Sequence, residues 1–274
     1  MRPVIMFDMD ETLLHTVCST SESKSAYQEA KERADANREA AIKGYTSGSA
    51  NSIKMAEARN KLAEQYESLA NALLFAPVLD KQFSANKDCR VVINPEALTA
   101  IATAAQHADI VIFTAASRDY AEDALEKTGL LKFFQKPEST SRDWTKNKIP
   151  NNVFCLDESP NMMNTTNTPW VLIDDTPAIG KVKQVYPQST RDCWQQMVVQ
   201  INPFNEFNAA LGNGLLLAVN EALNRVTSLD WGKRCPISGK STAVSNPSDR
   251  LTSVKYPKLR YCCADHKNKY DGNF

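Results

Sequence analysis

The sequence predicts an α/β fold: a parallel sheet with helices on both faces, interrupted early by a helical hairpin and followed by a small cysteine-bearing tail. Three observations predict it. Short, continuous apolar runs, the pattern of strands buried on both faces, occur at Val4–Phe7, Asp109–Phe113, Trp170–Ile173 and Met197–Ile201. Helical patterns separate them, as right-handed crossovers between parallel strands require. Three of the runs stop at side chains that carry chemistry, namely Asp8, Thr114 and Asp174. The carboxyl edge of an open α/β sheet is where ligands bind.

A chain of 274 residues can bury a sizeable core and hold one large domain or a domain plus a module. Acidic and basic residues balance at 32 each, so no global field draws it to nucleic acid or to an anionic membrane. No apolar run approaches the roughly 20 residues needed to span a bilayer. The apolar start is too short for a signal peptide and is interrupted by two aspartates. Seven cysteines, an odd number without framework-like spacing, suit a reducing compartment, and the expected location is cytoplasmic.

The first strand ends at Asp8, and Asp10 follows at a spacing of two, so both side chains of an extended chain point the same way. Two such carboxylates repel unless something holds both, and a divalent cation is the simplest answer. The composition then shifts to Ala, Glu, Lys, Asn and Gln. Ser23 to Lys43 reads as one helix with a weak stripe of Tyr27, Ala30, Ala34 and Ala41. Gly44 to Ser52 reads as a turn-rich connector. A second helix runs to about Leu74, with Ile53, Ala56, Ala63, Tyr66, Ala70 and Leu73 near heptad spacing. The pair predicts an antiparallel hairpin. Its place directly after the acidic loop favours a lid over a structural or partner-binding arm.

The core resumes at Arg90–Ile93, where Asn94 is expected to cap a helix with Pro95 at its first position and Leu98, Ile101, Ala102 and Ala105 on its buried face. The next strand ends in Thr114, and the helix after it stops at Gly129. Residues 133–152 are polar and irregular, and Asn152–Leu156 reads as a further strand. Trp170–Ile173 runs into Asp174-Asp175-Thr-Pro177, and a helix near Gly214–Val226 follows the last strand.

Asp8-Met-Asp-Glu-Thr-Leu-Leu-His15 resembles the D-x-D-x-T signature of the haloacid dehalogenase (HAD) superfamily. Its D-x-D-E-T-L-x-H form resembles the C-terminal-domain (CTD) phosphatase-like branch. Phe113-Thr114-Ala115 is similar to that branch's second motif, and Ile173-Asp174-Asp175-Thr-Pro177 to its fourth. Val198 to Phe204 and the Leu-rich helix beyond resemble its closing strand and helix. The likeness covers residues 1–15 and roughly 89–229. It implies a Rossmann-like phosphatase core at 1–18 and 76–229, with the hairpin at 19–75 as a cap.

The resemblance implies hydrolysis of a phosphate monoester through an aspartyl-phosphate. Asp8 is the expected nucleophile, and Asp10 the acid that protonates the leaving oxygen and later activates water. The implied Mg2+ ligands are the Asp8 carboxylate, the Asp10 backbone carbonyl and Asp174. Thr114 is expected to bind a phosphate oxygen, and Asp175 to orient the group rather than bind the metal.

Two features depart from the family pattern. The charge-neutralising lysine expected ahead of the fourth motif has no match: Phe154-Cys-Leu-Asp-Glu-Ser159 puts Leu156 in its place. Lys146, Lys148, Lys181 and Lys183 are the substitutes at hand. The hairpin is the second departure. The motif spelling points to a phosphoprotein substrate, whereas a helical lid points to a nucleotide or another small phosphorylated metabolite. The phosphoprotein is favoured. The non-enzymatic alternative is a catalytically weak binding or scaffold protein of the same fold.

From residue 230 to 274 the character changes again. Cys235-Pro-Ile-Ser-Gly239 and Tyr261-Cys262-Cys263-Ala-Asp-His266 resemble the YHS/TRASH class of small metal-binding modules, with His266 where that pattern has a cysteine. Cys235, Cys262, Cys263 and His266 form the candidate Zn2+ set. Buried thiols in an ordinary tail are the plainer alternative. Such a module would serve docking to a protein partner or stability rather than the phosphatase site. Cys18, Cys89, Cys155 and Cys193 read as small core hydrophobes. His15 reads as a structural histidine and His107 as a solvated one, and the four tryptophans form no base-stacking platform.

Overall fold

The computed structural model describes residues 3–84, 87–134, 153–155, 170–176, 198–228, 251–252 and 260–261. In chain order these form β1 (Val4–Phe7), β2 (Leu14–Cys18), α1 (Ala26–Ser47), α2 (Ala50–Phe75) and a single turn α3 (Lys81–Ser84). Next come β3 (Cys89–Ile93), α4 (Ala97–His107), β4 (Asp109–Thr114), α5 (Arg118–Lys127) and β5 (Val153–Cys155). Then follow β6 (Trp170–Asp174), β7 (Val198–Gln200), α6 (Leu215–Ser228), β8 (Leu251–Thr252) and β9 (Arg260–Tyr261).

The expected α/β architecture is present. Five parallel strands order as β5-β4-β1-β6-β7, with β1 at the centre. All four residues of β1 are fully buried, which is why its sequence is an unbroken apolar run. Val4 lies level with both Asp109 and Trp170, and Phe7 with both Ile112 and Ile173. One register therefore aligns the carboxyl ends of three strands. Helices α4, α5 and α6 supply Ile101, Leu125, Leu215 and Val219 to the core around Ile5 and Phe7. Phe134 meets the Phe7 ring edge-on, with centroids 6.3 Å apart.

The structure changes several sequence expectations. The run Arg90–Ile93 does not join the parallel sheet; β3 pairs antiparallel with β2, from Leu14 opposite Ile93 to Cys18 opposite Cys89. Strand β2 is half exposed beyond Leu14, so it shows no apolar run in the sequence. Cys18 and Cys89 are not independent core thiols: they form a disulfide across the open end of this ribbon. The reducing-compartment reading loses its premise for that pair. Cys155 is buried in the core, as expected.

The hairpin connector is shorter than its composition implies. Helix α1 continues through Ser47 and ends at Gly48, a left-handed cap (φ 70°) whose amide bonds back to Tyr45. Ser49 then caps α2. Gly44 lies inside α1, where a side chain has no room because a Cβ would stand 2.9 Å from the Cβ of Ala56. Buried Ala30, Ala34 and Ala41 on α1 and Ala56, Ala63 and Ala70 on α2 form the close seam between the helices. At the root, the Ala26 amide donates to Asp88 at 2.8 Å, and Arg90 donates to the Leu73 carbonyl at 3.0 Å.

On α4 the buried face is Ala97, Ala100, Ile101 and Ala104, whereas Leu98 is 52% exposed and Ala102 is also exposed. The helix starts later than the Asn-Pro signal implies, because Asn94 Oδ1 accepts the Glu96 amide and folds residues 94–96 into a turn. Among the described residues, no helix is long and apolar enough to cross a membrane. In the tail, β8 and β9 pair antiparallel, with Leu251 opposite Tyr261. Cys235, Cys262, Cys263 and His266 lie outside the described residues, as do Cys193, Leu156, Lys146, Lys148, Lys181 and Lys183.

Candidate active site

The ends of β1 and β6 deliver three acids to one place. Just past the Phe7–Ile173 pair, the Asp8 amide donates to the Ile173 carbonyl at 2.9 Å, and the carboxylates of Asp8 and Asp174 fall side by side. One ligand oxygen from each of Asp8, Asp174 and Asp175 lies within 4.8 Å of the other two. All three residues are buried, Asp174 completely. At an effective dielectric near 20, two like charges this close would repel by about 3 kcal/mol per pair, a cost that a bound cation would offset. Its ligands are all hard oxygens, the donor type that suits Mg2+ or Ca2+ and not a thiolate-seeking metal. The donor chemistry therefore fits a hard divalent ion.

Asp175, expected only to orient the group, has its own carboxylate in the cluster. It also accepts the Thr176 hydroxyl at 2.7 Å, while Asp174 Oδ1 accepts the Thr176 amide at 2.8 Å. Gln200 on β7 donates to the Asp175 carbonyl at 3.2 Å. Asp10 is not in this cluster. Its carboxyl is partly exposed and accepts the phenolic O–H of Tyr120 at 2.7 Å. The two motif acids thus occupy different surroundings, one among carboxylates and the other against a hydroxyl. Burial and then the charge of Asp10 raise the Tyr120 phenol above its ordinary range, so it stays protonated and donates.

Tyr120 and its second partner, the Thr16 hydroxyl at 2.8 Å, were not anticipated from the sequence. The available signal was a phenol one turn before Ala124 on the buried stripe of α5, since a buried tyrosine hydroxyl needs a partner. Thr114 ends β4, is 1% exposed and accepts the Ala116 amide at 3.1 Å, which leaves its hydroxyl proton for an oxygen acceptor.

The loop between Asp8 and Leu14 is held from several sides. Leu13 donates to the Met9 carbonyl at 2.9 Å, and Glu11 sits at φ 59°, a left-handed conformation costly for a residue with a side chain. Asn94 donates to the Thr12 carbonyl at 2.9 Å and to Asn213 at 2.7 Å, and its amide bonds the Leu13 carbonyl at 2.9 Å. The Phe204 amide donates to the Glu11 carbonyl. Among the described residues, Thr12 Oγ1 is a buried hydroxyl without a hydrogen-bond partner. His15 lies 3.4 Å from Glu206, in keeping with a structural role, and His107 is exposed.

The family model for haloacid dehalogenase-like hydrolases matches residues 5–154, more than half of the sequence. No curated protein matches it. Among solved structures, one similar chain is Fcp1, described as an essential RNA polymerase II CTD phosphatase. The likeness has 14% identity, 83% coverage of this chain and 49% of that one, and a TM-score of 0.38. Fission yeast Fcp1 bound to beryllium fluoride is similar at 15% identity over 83% of this chain and 50% of that one, with a TM-score of 0.39. A haloacid dehalogenase-like hydrolase from Xanthomonas campestris is similar at 17% identity over 64% and 76% of the two chains, with a TM-score of 0.28. The chain thus spans about half the length of the CTD phosphatase structures it matches.

Proposed function

The chain belongs to the haloacid dehalogenase-like hydrolases and is an enzyme of that class; on that premise we propose that it is a Mg2+-dependent phosphatase working through an aspartyl-phosphate on Asp8. The observation that carries this reading is the buried Asp8–Asp174–Asp175 group at the carboxyl edge of the sheet, with the Asp10 carboxyl accepting the Tyr120 hydroxyl. Asp8, Asp174 and the backbone of Asp10 would hold the ion, with Asp175 adjoining them. Bound there, Mg2+ would offset the charge that an anionic nucleophile and an anionic phosphate bring together.

In the first step an Asp8 carboxylate oxygen attacks phosphorus while Asp10 gives its proton to the departing alkoxide. In the second, Asp10 takes a proton from water, that water attacks the phosphorus of the acyl phosphate, and the Asp8 carboxylate is released with inorganic phosphate. The Thr114 hydroxyl donates to a phosphate oxygen. The family's charge-neutralising lysine has no match at its usual position, and Lys146, Lys148, Lys181 and Lys183 are the candidates to replace it.

The substrate is a phosphoprotein, a choice resting on the spelling of the first motif in the CTD phosphatase-like branch. A smaller phosphorylated metabolite or nucleotide is the second reading, favoured by the hairpin inserted between β2 and β3. The decisive measurement is hydrolysis of p-nitrophenyl phosphate with Mg2+, with and without EDTA, comparing Asp8→Asn. Equal rates in wild type and mutant would defeat the phosphatase reading. A panel of phosphopeptides against nucleoside monophosphates then separates the substrate classes.

The C-terminal 230–274 segment is proposed to bind Zn2+ through Cys235, Cys262, Cys263 and His266, on the strength of its motif. Metal analysis of the full chain against a Cys262→Ser, Cys263→Ser variant tests this; equal zinc content would remove it. The proposed location is the cytoplasm, where the Cys18–Cys89 disulfide would be an exception to the usual reduced state of thiols.

A further inference from the structure

Asp10 needs more than reach to act as proton donor. Productive transfer needs its carboxyl held in one rotamer at the leaving oxygen. The Tyr120 O–H bond to Asp10 Oδ1, at 2.7 Å, supplies such a restraint. A phenol has a single proton. Since Tyr120 spends it on Asp10, the 2.8 Å contact with Thr16 must have the threonine hydroxyl donating to the tyrosine oxygen. The three groups form a directed relay, Thr16 to Tyr120 to Asp10.

The origin of the parts gives the relay a further meaning. Thr16 lies on β2, the strand that leads out to the helical hairpin. Phe83 lies on α3, where the chain returns from it, and meets the Tyr120 ring edge-on with centroids 5.9 Å apart. The same return segment is tied to α5 again where the Asp80 amide donates to Asp123 at 3.2 Å. Tyr120 is therefore gripped by both roots of the insertion while it holds the motif acid.

We infer that Tyr120 is a positioning residue that orients the Asp10 carboxyl for proton delivery to the leaving group, and that Thr16 and Phe83 make this orientation depend on how the hairpin is rooted. The inference rests on the phosphatase reading above and goes beyond it. A half-buried tyrosine that merely satisfies its hydroxyl would affect all substrates alike. A positioning tyrosine would matter in proportion to the leaving group's need for a proton.

The test measures kcat/KM for p-nitrophenyl phosphate, whose leaving group departs unprotonated, and for phosphoserine, whose alkoxide must be protonated. Tyr120→Phe keeps the ring against Phe83 and removes only the hydroxyl. The expected result is a fall on the order of tenfold or more for phosphoserine, within the range of general acid catalysis, against less than about threefold for the nitrophenyl ester. In an Asp10→Asn background the same substitution should leave the ratio unchanged. Thr16→Val, which removes the donor to the phenol but not the phenol, should shift the ratio in the same direction by a smaller factor; it also serves if Tyr120→Phe does not fold. Equal falls on both substrates, or no fall, would overturn the inference while leaving the phosphatase intact. Loss of all Asp8-dependent turnover in wild type would instead sink the phosphatase reading and this one with it.

Discussion

The backbone amide of Asp8 donates to the carbonyl of Ile173, one step beyond the last paired residues of β1 and β6. That bond extends the ladder far enough to place two acids, more than 160 positions apart in sequence, beside each other in the buried end of the sheet. That pairing sets the first prediction, since Asp174→Asn keeps the side chain's size and removes one carboxylate from the group. With millimolar Mg2+, wild type should gain stability by mass action, about 2.7 kcal/mol at a hundredfold excess over Kd, and the variant should not. Thermal melts with Mg2+ and with EDTA measure this; an equal Mg2+-dependent rise in both proteins would count against Asp174 as a ligand.

Asn94 is 1% exposed and ties the Thr12 carbonyl, Asn213 and the Glu96 amide together. Asn94→Ala strands at least one buried partner and should cost on the order of 1–3 kcal/mol in unfolding free energy. It should also lower kcat more than it raises KM, because the loop carrying Asp8 and Asp10 loses a fixed contact. Urea unfolding together with steady-state kinetics reads both effects. A stability loss with unchanged kcat would show that the loop keeps its shape without this contact.

The disulfide between Cys18 and Cys89 closes a loop with a sequence separation of 71 and encloses the whole hairpin. On the chain-entropy model such a closure stabilises by about 4 kcal/mol. Reduction, or the double substitution Cys18→Ser with Cys89→Ser, should therefore lower the melting temperature by on the order of 10 °C. Thiol counting on the unreduced, denatured chain checks the premise: two extra reactive thiols would mean the bond is not there.

Gly44 faces the Ala56 Cβ across the hairpin seam. Gly44→Val should force the helices apart and cost about 1–3 kcal/mol, the usual range for overpacking, despite the gain in side-chain burial. Circular dichroism melts measure it; a variant as stable as wild type would mean that the seam yields at this point.

The parallel strands were legible because a strand covered on both faces must be apolar throughout, and that pattern survives in one dimension. The acids and the threonine at their ends were legible for the same reason, each marking where an apolar run stops. Local pattern misled where packing overrode it. Gly44 reads as a turn, yet it lies inside a helix, where glycine is needed because Ala56 crowds the site, and Leu98 reads as core, yet it faces outward while Ala97, Ala100, Ile101 and Ala104 are buried.

Other features have no one-dimensional trace. Strand β2 is half exposed, so nothing apolar announces it, and without β2 the pairing of Cys18 with Cys89 cannot be drawn. The entry of Asp175 into the acidic group and the bond from Tyr120 to Asp10 likewise depend on where separate elements meet. A sequence records what each residue must be buried against in general, apolar or polar. Which particular residue it meets is set by strand register and helix packing, and both are properties of the folded chain as a whole.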